Sequence, residues 1–157
     1  MFWLIIIGCV VLDQLTKWIV VKNMALGQSI DLPGGLLDIT FILNDGAAFS
    51  MLEGQRTYFI ILTVAVFAII CWLHRSMKKE DPPLDLALAF FLGGTLGNFI
   101  DRVWLGAVID FFELGWFMDW FPIFNVADCF LTLSTAFICV YLLFGPEGVI
   151  LKCGGKK

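Results

Sequence analysis

Histidine occurs once in the chain, at His74, and nothing around it has the spacing of a zinc-ligand pair, which argues against a zinc peptidase. Charge is scarce as well: ten Lys and Arg against fourteen Asp and Glu give a net charge of -4. Without a basic cluster interleaved with aromatics there is no footprint for nucleic acid, which is excluded as a partner. The five cysteines, Cys9, Cys71, Cys129, Cys139 and Cys153, include no CxxC pair, and four lie in apolar runs, so they read as small buried apolar residues. What remains is apolar. Hydrophobic residues make up 60% of the 157 positions and mean hydropathy is +0.91, a composition outside the soluble range that fits a single polytopic membrane domain.

Apolar runs divide the chain into four spans, at about 2–21, 57–73, 84–103 and 123–144, each near the roughly 20 residues needed to cross a bilayer as a helix. No positive charge precedes the first run and no small-residue cleavage site follows it, so it reads as a permanent span. Within it Asp13 and Lys17 stand four apart on one helical face, acid before base, which suits an internal ion pair or a direct part in chemistry. Between the first two spans, about 23–56, the turn formers Gly27, Pro33, Gly34 and Gly35 alternate with short apolar stretches, predicting a small β-rich cap outside the membrane. There Asn44-Asp45-Gly46 is either a hairpin turn or a means of presenting the Asn44 amide to a bound peptide. The loop with Arg75, Lys78 and Lys79 is cytoplasmic by the positive-inside rule, and the tail with Lys152, Lys156 and Lys157 agrees. Both termini then face the cytoplasm.

In the third span Gly93 and Gly97 form a GxxxG face suited to close helix packing, followed by Asn98 and Arg102, four apart on one face. The segment at about 104–122 holds Phe111, Phe112, Trp116, Phe117, Trp120 and Phe121 and predicts an interfacial loop or helix, as a passive aromatic belt or as a lid. Two carboxylates flank it. Asp110 precedes the aromatics, and Asp128 opens the last apolar run, with Asn125 three residues before it on the same face. A helix start at Ile123 and a rise of about 1.5 Å per residue put Asp128 roughly 7 Å below the outer end. Ionisable groups in a span are by default a functional-site hypothesis. Two aspartates sharing a proton allow peptide hydrolysis in the aspartic style, one as base and one as acid. His74 lies a span away from both, which leaves no Ser-His or Cys-His set. Carboxylates also line ion and proton pathways, and the GxxxG face would serve an assembly factor, so the residues alone leave those readings open.

Five blocks in order narrow the choice: DQLTK at 13–17, NDGAAFS at 44–50, GNFIDR at 97–102, VIDF at 108–111 and FNVAD at 124–128. With them the sequence resembles the lipoprotein signal peptidases, the type II signal peptidases of bacteria, over most of its length. The resemblance implies a helical inner-membrane protein of four spans with a β-rich cradle on 23–56 and an interfacial helix or lid on the aromatic segment. It also implies an aspartic endopeptidase that acts near the outer face on diacylglyceryl-modified prolipoproteins and cuts on the N-terminal side of the modified cysteine. Neither metal nor organic cofactor is implied; the partners are the prolipoprotein and membrane lipid, and a monomer is expected. By motif, Asp110 and Asp128 match the catalytic pair; Asn44, Asn98, Arg102 and Asn125 match polar residues lining the substrate groove; Asp13 and Lys17 match a first-helix structural pair. Ile109, where valine is commoner, is a mild departure, and residues 145–157 fall outside the pattern.

Overall fold

The computed structural model describes residues 1–46, 52–76, 82–115, 118 and 120–144. Ala47 to Ser50 of the second block, Lys78, Lys79, Trp116, Phe117 and the tail 145–157 lie outside them. Four helices, α1 (Phe2–Asn23), α2 (Arg56–Ser76), α3 (Pro82–Trp104) and α4 (Val126–Phe144), are long and apolar enough to cross a membrane. Three strands, β1 (Ser29–Asp31), β2 (Leu37–Asn44) and β3 (Val108–Leu114), form an antiparallel sheet in the order β1-β2-β3.

The buried residues of α1, Phe2, Ile6, Cys9, Asp13, Lys17 and Val20, recur every three or four positions and so form one stripe. Its other faces expose Leu4, Ile7, Val11 and Trp18, so the helix is apolar all round, as a span must be. Helix α3 is the centre of the bundle and packs on α1, α4 and, less extensively, α2. Its glycines explain how. A Cβ on Gly93 would sit 2.5 Å from Cys9 Cβ, one on Gly94 2.5 Å from the Ala127 carbonyl, and one on Gly97 2.6 Å from Asp13 Oδ2. The GxxxG face therefore admits α1, while Gly94 admits α4, within one chain. Helix α2 buries only Phe59, Thr63 and Ile70 and is joined to the start of α3 by a His74–Asp85 contact, with Phe2 stacked on the His74 ring.

The third strand comes from the segment whose composition predicts only a loop or interfacial helix. It forms by pairing with partners distant in sequence: β2 on one side, with Ile42 opposite Asp110 and Asn44 opposite Val108, and Phe124 on the other. Phe111 and Phe112 both donate backbone N–H groups to the Phe124 carbonyl, and Phe124 donates back to Phe112. That bridge holds residue 124 extended, so α4 starts at Val126 rather than about 123. Asp128 consequently sits in the first helical turn, shallower than the roughly 7 Å expected from the rise per residue.

Candidate active site

All eight residues singled out from the sequence belong to one polar cluster that runs from the middle of α1 to the end of the bundle where α3 finishes and β3 and α4 begin. Asp110 lies on the β3 face that carries Val108. In an antiparallel pair Asn44 is its diagonal neighbour across β2, and Asn44 Nδ2 donates to Asp110 Oδ2 at 2.9 Å. Asn44 is itself held by the Gly46 N–H donating to its Oδ1 at 3.0 Å, an Asx turn. The segment is therefore an Asx turn rather than a hairpin, since the strands that pair with β2 are β1 and the distant β3, and the amide is directed at Asp110.

Asn125 is the N-cap of α4. Its Oδ1 accepts the Asp128 N–H, and Asp128 Oδ2 accepts the Asn125 N–H, both at 3.1 Å, a reciprocal capping box. The Asn125 amide reaches the other way, donating to Asp110 Oδ1 at 2.6 Å and to Asn98 Oδ1 at 3.0 Å. Asn98 Nδ2 in turn donates to Asp128 Oδ1 at 2.8 Å. Each carboxylate thus has both oxygens engaged by amide donors, and the helix N-terminus adds a favourable field at Asp128. Asp110 is 2% exposed. Burial, then the neighbouring charge of Asp128, pushes its carboxyl up to about 7, against the opposing amide hydrogen bonds from Asn44 and Asn125.

Both aspartates line a cavity of about 480 Å³, with Asn44, Asn98 and Arg102 on its polar side and residues such as Phe121 and Leu133 on its apolar side. Arg102 packs over the Phe59 ring at 4.5 Å and donates to the Gly46 carbonyl at 3.1 Å. Behind the cavity Lys17 Nζ contacts Asp13 Oδ2 at 2.9 Å, Asp101 Oδ2 at 2.8 Å and Asn98 Oδ1 at 2.9 Å. Asp101, which the sequence offered only as a carboxylate of an ion or proton pathway, and Gln14 also belong to the cluster, where sequence reasoning gave neither a place in the site. Gln14 Nε2 donates to Asp101 Oδ1 at 2.9 Å, and Asp101 Oδ2 accepts the Ile109 N–H at 3.2 Å, which ties α3 to β3 beside Asp110. Asp101 lies four residues beyond Gly97, and that helical spacing places it on the face toward α1. Among the described residues no buried side-chain nitrogen or oxygen lacks a partner, and no three His, Cys, Asp or Glu side chains converge as metal ligands.

The family model described as signal peptidase (SPase) II matches residues 5–144. The lipoprotein signal peptidase of Listeria monocytogenes serotype 4b (strain CLIP80459) is 45% identical over 141 residues, covering 90% of this chain and 92% of the relative. That of Bacillus pumilus (strain SAFR-032) is 39% identical over 142 residues, with coverage of 90% and 92%. Two solved structures, both described as bacterial membrane enzymes studied in meso, at 2.3 and 1.9 Å resolution, share the fold. They superpose with TM-scores of 0.87 and 0.83 at 35% and 36% identity, covering 94% and 91% of this chain and 90% and 92% of theirs.

Proposed function

Because the chain belongs to the signal peptidase II family, a family of bacterial membrane peptidases that process prolipoproteins, we propose that Asp110 and Asp128 are an aspartic dyad that hydrolyses the bond on the N-terminal side of a diacylglyceryl-modified cysteine. One observation carries this reading: both carboxylates open on the same cavity and share Asn125, through its side chain at Asp110 and its backbone at Asp128. Burial first, and the neighbouring charge of Asp128 second, raise the proton affinity of Asp110, so the two acids do not both ionise cheaply.

The dyad therefore carries one proton. A water between the two carboxyls loses a proton to the ionised one as its oxygen attacks the scissile carbonyl carbon, while the protonated one gives its proton to the carbonyl oxygen. The product is a neutral gem-diol. Its collapse passes the water-derived proton to the departing amide nitrogen and returns a hydroxyl proton to the other carboxylate, so the C–N bond breaks and the dyad regains its single proton. Asn44, Asn98 and Asn125 hold the carboxyls in place, and Arg102 lines the polar side of the same cavity. The lipid chains of the substrate fix the bond's depth, each buried CH₂ contributing about 0.8 kcal/mol to membrane partitioning. Helix α2 ends at Ser76 and α3 begins at Pro82 at the end of the bundle away from the dyad, and with Arg75, Lys78 and Lys79 in the sequence between the two spans the positive-inside rule supports cytoplasmic termini and a dyad at the outer face. The polar cluster is complete within one chain, and we take a monomer, needing neither metal nor cofactor, as the working unit.

The test is cleavage of a diacylglyceryl-modified prolipoprotein in lipid by the wild type, Asp110→Asn and Asp128→Asn. Release of the signal peptide by wild type alone, with both variants folded, is expected. A folded variant that retains wild-type turnover removes that aspartate from the dyad.

A further inference from the structure

Lys17 is 1% exposed, in the middle of a span, and all three of its ammonium protons are used. Two go to the carboxylates of Asp13 and Asp101, which together already overbalance its charge. The third goes to the neutral amide oxygen of Asn98, and that contact is not needed to neutralise anything. Its effect is on orientation. Asn98 Oδ1 receives both Lys17 Nζ and Asn125 Nδ2, so the flipped amide would set its NH₂ against two donors. With the flip forbidden, Asn98 Nδ2 is committed to Asp128 Oδ1 at 2.8 Å. The ammonium on α1 thereby fixes a donor on α3 onto a carboxylate on α4.

We propose that Lys17 is a positioning residue of the hydrolysis, acting on Asp128 through the locked amide of Asn98, beyond the structural ion pair it makes with Asp13. The inference rests on the dyad reading above. Charged groups facing this relay are Asp13 on α1, Asp101 and Arg102 on α3, Asp110 on β3 and Asp128 on α4. Lys17 also contributes positive charge that favours ionisation of Asp110.

These two contributions separate in a pair of full-length variants assayed in lipid against diacylglyceryl-modified prolipoprotein. Lys17→Met removes both the lock and the charge. Asp13→Asn/Lys17→Met removes the lock while keeping the net local charge at its wild-type value, and it leaves one buried acid, Asp101, without its cation instead of two. Loss of an outer partner that orients a metal ligand typically lowers activity roughly 10- to 100-fold, and a carboxylate held through a locked amide is expected to respond on the same scale. Both variants are expected to lose kcat in that range per folded molecule, with KM little changed. In Lys17→Met both limbs of the pH profile are expected to move to higher pH, because a lost cation leaves the dyad holding its protons longer; in the double variant the limbs stay near those of wild type. A purely structural pair would instead lower the yield of folded protein and its melting temperature. The double variant, folded and turning over with wild-type kcat, overturns the proposal while leaving the dyad intact. Wild type that fails to cut the lipidated substrate overturns the dyad reading, and this inference with it.

Discussion

Asp13, in the middle of the first helix, caps the last one: its Oδ1 accepts the backbone N–H of Ala127 at 2.9 Å, while its Oδ2 holds Lys17. The first turn of α4 is therefore fastened from α1 at Ala127, one residue ahead of Asp128, as well as by its own Asn125. Asp13→Ala strips a helix-end partner and leaves a buried ammonium with one carboxylate fewer. Removing one partner of a buried pair costs about 3–5 kcal/mol. Asp13→Asn keeps an oxygen for the Ala127 N–H and is expected to lose less. Melting temperatures in one detergent should rank wild type, then Asn, then Ala; equal melting of the Ala variant and wild type would count against the cap.

Gly97 stands where α1, α3 and α4 come closest. A methyl there would lie 2.6 Å from Asp13 Oδ2 and 3.2 Å from Ala127 Cβ, and neither neighbour is free to yield, since both belong to the cap just described. Gly97→Ala is expected to destabilise by about 1–3 kcal/mol, the usual cost of overpacking, and to reduce cleavage by displacing α4. Gly8 in α1 is the control, with no atom within 4 Å of its added Cβ. Ala there should be neutral or stabilising by up to about 1 kcal/mol through helix propensity. Thermal unfolding of the two variants side by side checks both.

How much of this was legible in the sequence depends on how far each contact reaches. Asn125 and Asp128 are three apart, so their shared helical face was visible, and the five motif blocks carried Asp110, Asn44, Asn98 and Arg102 with them. Asp101 was harder. Adjacent residues cannot share a helical face, so Asp101 had no partner in Arg102, and its true partner Lys17 lies on another helix. The third strand was hidden for the same reason: Val108–Leu114 has no local hairpin turn to announce it, and its pairing with β2 and Phe124 exists only once the chain has folded. With the strand went the diagonal contact from Asn44 to Asp110, which depends on register.

The carboxyl of Asp110 gives the protein a predictable response to pH. Its folded value of about 7 lies above the ordinary carboxylate value near 4. The folded state thus binds more protons than the unfolded state between those limits, and stability declines as pH rises from about 4 through about 7, then levels off. Wild type should melt lower at pH 8 than at pH 5. Asp110→Asn, with no proton to lose, should flatten that slope, although its NH₂ facing the Asn44 amide adds a cost at every pH. In wild type the alkaline limb of the cleavage profile should fall near pH 7, where the dyad loses its shared proton. Melting curves and initial rates across pH 5 to 9 test both statements, and a flat wild-type melting profile would refute the first.

Asn125 is the residue outside the dyad whose replacement should separate positioning from charge. In Asn125→Ala the donor to Asp110 and the cap on the Asp128 N–H both disappear, while the backbone N–H to Asp128 Oδ2 survives. Loss of an N-cap costs about 1 kcal/mol, so the variant should fold with reduced stability and turn over slowly because Asp110 is no longer held. Asn125→Asp keeps the cap oxygen and puts an acid where the amide lay 2.6 Å from Asp110 Oδ1. Two carboxylates at that range share a proton, so the new acid competes with Asp128 for the role of Asp110's partner. Asn125→Asp should therefore be at least as stable as Asn125→Ala at pH 5, lose that stability by pH 8, and cleave less than Ala at either pH. Faster cleavage by the Asp variant would mean that the amide of Asn125 does not set the protonation of the dyad.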